Sequence, residues 1–103
     1  MDMNGILEAA QNLQREIARV QEELQSKSVE AQAGGGMVTV TASGRQEILA
    51  IRIEKTVIDP NEQGMLQDLV VAAVNLALRK SQELAQQEIS KVTGGMPLPG
   101  LGL

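Results

Sequence analysis

Cysteine, histidine, phenylalanine, tyrosine and tryptophan are all missing from the 103-residue chain. Without cysteine or histidine there is no disulfide, no thiol nucleophile, no imidazole base and none of the commonest metal ligands. The remaining acid–base groups are carboxylates. Glu16, Glu22, Glu23, Glu83 and Glu88 fall on helical faces beside Arg or Lys, as on a solvated helix surface, and none forms a tuned pair. The composition argues against an enzyme and predicts no cofactor, no metal and no small-molecule substrate. Without aromatic rings the core must be built from Leu, Ile, Val, Met and Ala, which bury less area per residue. One small domain with such a core predicts a marginal lone subunit that assembles.

Long apolar runs are also lacking. The longest, Met65 to Leu78, is interrupted by Gln67, Asp68 and Asn75 and falls short of the ~20 residues of a membrane span. The first residues, MDMNGILEAAQ, show no basic segment followed by an apolar one, so the expectation is a cytoplasmic protein with no membrane partner. The net charge of −4 repels polyanions at long range.

What is present is periodicity. Met3, Ile6, Ala10, Leu13, Ile17, Val20 and Leu24 alternate spacings of three and four, a heptad seam that predicts a helix over about 3–26. From Val29 the period becomes two, with Val29, Ala31 and Ala33 separated by polar residues, which predicts a strand over about 28–33. Val38, Val40 and Ala42 predict a second strand over about 37–43, and Leu49, Ile51 and Ile53 a third over about 47–54. With a loop from Ser43 to Gln46, Val40 would face Leu49 and Val38 would face Ile51, completing an antiparallel meander. Asp59-Pro60-Asn61-Glu62 combines an N-cap, a first-turn proline and a capping-box glutamate, which starts a helix over about 60–93 that Gly94-Gly95 stops. Gly64 weakens its first turn. From Met65 to Leu78 this helix is apolar nearly all round, so it needs a cover besides the sheet. A second copy of the chain is the expected cover, with Val70, Val71, Val74 and Leu78 as candidate dimer contacts. The domain is expected to span 1–95, followed by a disordered tail over 96–103, where Pro and Gly fill half the positions of MPLPGLGL.

Two features could bind anions. Gly34-Gly35-Gly36 leads into a strand, whereas a phosphate loop leads into a helix whose amino terminus supports the anion, so the cluster reads as a bend. The sparse basic residues include Arg15 and Arg19 on the side of the first helix opposite its seam, and Arg79-Lys80 midway along the second. Arg19 has Glu16, Glu22 and Glu23 at helical spacing, and Arg79 has Glu83. Arg15 has no acidic neighbour at those spacings, which makes it the plainest anion contact. With no ring to stack on a base, any nucleic acid would be held by its backbone. A basic strip acts within a Debye length of about 8 Å even on an acidic protein.

The strings GGGMVTVTASGRQEILAIRI, VIDP, MLQDLVVAAVNLALRKSQELAQQ and GGMPLPG, in this order, resemble the YbaB/EbfC family of bacterial nucleoid-associated proteins over nearly the whole chain. The resemblance implies an α+β fold: an α-β3-α subunit with a three-stranded antiparallel meander, which dimerises through its sheet and second helix into a tweezers-like homodimer. It further implies binding of duplex DNA with little sequence preference, bending or bridging, and roles in nucleoid organisation and gene regulation. By location on the projecting helices, Arg15, Arg19, Arg79 and Lys80 become the candidate DNA contacts. A heptad helix, a β segment and a second helix is also the layout of a prefoldin-like chaperone or protein-binding adaptor. Three heptads are short for such a device.

Overall fold

The computed structural model describes residues 2–94, so the tail over 96–103 lies outside the described residues. Helix α1 (Met3–Ser26) is followed by strands β1 (Ser28–Ala33), β2 (Val38–Ser43) and β3 (Ile48–Ile53), two short 3-10 turns, and helix α2 (Gln63–Thr93). The strands form an antiparallel sheet in the order β1-β2-β3. The α-β3-α subunit expected from the pattern is therefore present.

The start of α2 departs from expectation. Pro60–Glu62 form a separate 3-10 turn, capped by the Asp59 carboxylate accepting from Asn61 N at 3.0 Å, and α2 begins only at Gln63. Glu62 makes no capping bond. Gly64, open on all sides, withdraws helix propensity where the first turn would form, and the chain tightens instead.

All three glycines of the β1–β2 connection have positive φ, 64°, 67° and 96° for Gly34, Gly35 and Gly36. The cluster is a bend between strands, as its position before a strand implies. The β2–β3 register differs from expectation by two residues: Val40 pairs with Ile51 and Val38 with Ile53. Ser43 joins β2 and its N donates to Glu47 O at 2.8 Å, closing a loop shorter by one residue, Gly44 to Gln46, which alone would set Val40 opposite Ala50 and turn β3 over. An irregularity at Thr41/Ala42 leaves Leu49 without a partner, and this extra residue returns Ile51 and Ile53 to the face of Val38 and Val40.

That face receives α2. Ala31, Val38, Val40, Ala42, Ala73 and Ala77 form the buried centre, with Leu66, Leu69, Val70 and Val74 packed around it. The buried positions of α2 repeat every four residues, Ala73, Ala77, Ser81, Ala85 and Ile89, and the small ones let the helix sit close to the strands. Beyond the sheet, α2 packs on the last turns of α1 through Val20, Leu24, Ala85 and Ile89. The molecule is long, 69 × 20 × 17 Å.

Candidate nucleic-acid interface

The projecting arm is held to the sheet at one junction. Gly44 N donates to both Leu24 O and Lys27 O at 2.9 Å, clasping the end of α1. A Cβ on Gly44 would lie 2.7 Å from Leu24 O, so only glycine permits this approach. The same turn is fastened to α2: the buried Ser81 hydroxyl donates to Ser43 O at 2.6 Å and accepts from Gln46 N at 2.9 Å. Gln46, at φ 64°, is the one non-glycine residue with positive φ among those described. Sequence reasoning passed over Ser81. Its signal was a polar residue in the four-residue series of alanines that faces the sheet.

From this junction the basic candidates separate into two groups. Arg15 and Arg19 lie exposed on the outer side of α1. Arg19 is occupied, with its guanidinium 2.6 Å from both Glu16 and Glu23. Those bonds raise its pKa, and Arg19 in turn holds the Glu16 carboxyl below the usual carboxylate range. Among the described residues Arg15 touches no carboxylate, and its one side-chain bond is to the Asn12 amide oxygen at 3.1 Å. On α2, Arg79 is exposed, and among the described residues no carboxylate lies within 4.0 Å of it, Glu83 included. Lys80 is turned toward the sheet edge, where Nζ donates to Glu30 O at 3.0 Å. Among the described residues no carboxylate pairs with it, but it is tethered.

The spacing within α2 places Glu88 beside Lys91, but a second cation, Lys27, was missed because its contact with Glu88 crosses between helices. Lys27 at the end of α1 and Lys91 on α2 both bind Glu88 Oε1, at 3.3 and 3.1 Å, and hold that carboxyl below the usual range, Lys91 foremost. Among the described residues no cluster of three metal-ligating side chains occurs, and no helix is long and apolar enough to cross a membrane.

The candidate dimer contacts fall on different parts of α2. Val70 and Val74 are partly buried against the sheet core, Leu78 is half-buried, and Val71 is 58% exposed. Residues three and four apart share a helix face, so Val71, Val74 and Leu78 form one flank. Lys80, which reaches β1, and Leu69, beside Gly34, mark the other. The Val71 flank thus lies on the β3 side. There α2 lies across β1 and β2 and barely touches β3, leaving Ile48, Leu49 and Ile51 exposed.

The model of the YbaB/EbfC DNA-binding family matches residues 1–96. The chain belongs to this family. Among its relatives, a nucleoid-associated protein of Syntrophobacter fumaroxidans is 58% identical over 86% of this chain and 81% of its own length. Another from Acetivibrio thermocellus is 54% identical, covering 97% of this chain and 89% of its own. A crystal structure of an uncharacterized Helicobacter pylori protein superposes with a TM-score of 0.79 at 19% identity, covering 91% of this chain and 99% of that one, and shares the fold. The YbaB/EbfC family is one of DNA-binding proteins and not of enzymes.

Proposed function

We propose that this YbaB/EbfC protein works as a homodimer on the nucleoid in the cytoplasm, binding duplex DNA with little sequence preference and altering its conformation in nucleoid organisation and gene regulation. Arg15 carries the reading: a cation exposed on a projecting helix, with no carboxylate of the described residues within ion-pair distance. Arg79 supports it from α2. Lys80 and Arg19 contribute less, because one is tethered to a backbone carbonyl and the other is neutralised by two glutamates. The dimer is supported by the uncovered apolar strip of Leu49, Ile51 and Val71, a combination that a lone subunit leaves in water.

Contacts from the backbone-gripping side chains of two subunits, about four to eight phosphates in all, give a log–log salt slope of roughly −4 to −7 and a loss of about 10²- to 10⁴-fold in affinity between 50 and 200 mM salt. Arg15→Glu with Arg79→Glu weakens all duplexes alike and flattens the slope, since phosphate contacts carry no sequence information. An unchanged slope in a folded double variant removes these helix faces as the DNA surface. The prefoldin-like reading draws on the exposed apolar start of α1; a parent that holds an unfolded client and shows no salt-dependent duplex binding favours it.

A further inference from the structure

Among the described residues, the heptad seam of α1 is covered over only part of its length. Val20 and Leu24 are buried and Ile17 packs beside them against Leu84, Ala85, Ile89 and Val92 of α2. Toward the amino terminus, Met3 is 85% exposed, Ile6 55% and Leu7 60%. Helix α2 ends at Thr93, and Gly94, at φ 67°, turns the chain out of the helix. The two helices run in opposite directions from the junction, so about three turns of α1 extend beyond the last turn of α2.

The uncovered face is broad and uncharged. At 100° per residue, Met3, Ile6, Leu7, Ala9, Ala10 and Leu13 share roughly half the circumference, while Glu8 and Arg15 fall opposite. Glu16, at the margin, is paired with Arg19. We propose that this face docks against the same face of a second copy of the chain. Three observations select that occupant. The face continues, in register, the seam that already packs helix on helix in this molecule. Met3, Ile6, Leu7, Ala9, Ala10 and Leu13 carry no charge, so two copies of these side chains meet without desolvating an ion, whereas a charged partner finds nothing among them to pair with. The acidic groups near the tip, Asp2 and Glu8, disfavour a phosphate backbone as occupant. The area is well below the ~800 Å² per partner of a standard interface, so the contact is weak alone and gains when copies are held close together.

Because the chain has no cysteine, single thiols report on this contact without interference. Ala10→Cys, on the face, and Arg15→Cys, opposite, are treated without DNA with a short bis-maleimide, which spans small differences of register. The expected result is a two-chain product forming about tenfold faster from Ala10→Cys, the advantage of a raised local thiol concentration. Adding Ile6→Glu and Leu7→Glu to Ala10→Cys abolishes that advantage. Both residues are exposed, and an unchanged helical circular dichroism signal and melting curve show that the variant is folded. Equal rates from the two cysteines, or an advantage that survives the glutamates, overturns the proposal. So does protection of Ala10→Cys by an unfolded client in place of cross-linking. Duplex titration of the same proteins reads the DNA function separately.

Discussion

Two glycines in this chain are required for different reasons, and substitution separates them. Gly44 has ordinary φ but sits so close to α1 that a methyl group would meet Leu24 O at 2.7 Å and Leu24 Cδ2 at 2.9 Å. Gly35 has nothing within 4 Å of its would-be Cβ, but its φ is +67°. Gly35→Ala therefore meets only backbone strain, about 1 kcal/mol. Gly44→Ala must push the end of α1 away and disturb two hydrogen bonds, costing about 3 kcal/mol. Urea denaturation of both variants checks the order. Equal losses would mean that α1 does not rest on the turn as closely as described. The small side chains of α2 carry the same lesson, because Ser81 replaces an alanine-sized space with a hydroxyl that satisfies both Ser43 O and Gln46 N.

At the scale of elements, β3 depends on one surplus residue. Leu49 lies between Ile48, paired with Ala42, and Ala50, paired with Thr41. Deleting Leu49 joins those neighbours into a regular ladder with all other pairs unchanged. The expected outcome is a folded subunit whose stability changes by less than about 1 kcal/mol, with the proposed dimer weakened because the apolar strip loses a 57% exposed leucine. Amide exchange of β2 and β3 reads the register, and loss of protection along both strands would overturn the pairing argument. The same residue shows where the sequence stops being legible. Alternation in Val38–Ala42 and Leu49–Ile53 identifies two strands and their inward faces, yet it is indifferent to a shift of two residues, and the bulge that sets the register leaves no mark in composition. The seam of α1 is visible from Met3 to Leu24, but how much of it is covered depends on where α2 ends. Arg15 could be singled out from its own helix, because ion pairing at helical spacing is local. The Lys80 bond to Glu30 O crosses 50 positions, and no local spacing announces it.

For the whole molecule, the decisive property is the asymmetry of its cover. Helix α2 shields two strands of three, so the β3 side keeps an apolar strip that the charge and length of the chain cannot compensate. Val71→Glu places a charge on that strip at a position 58% exposed in the subunit. It should convert the proposed dimer to monomer at micromolar concentration by light scattering, with the unfolding midpoint becoming lower and less dependent on protein concentration. A variant that stays dimeric moves the interface elsewhere. The arm itself is a lever whose fulcrum is the Gly44–Leu24 contact. Val20 and its partners lie one turn out, roughly 6 Å from that point, whereas Met3 lies roughly 30 Å out. A slip of half an ångström at the inner contact swings the tip by about 2.5 Å, and a load at the tip is multiplied about fivefold where the helices meet. Pulled from its end, such a subunit yields at the helix pair before its sheet is strained, which makes the arm a spring in series with a rigid base.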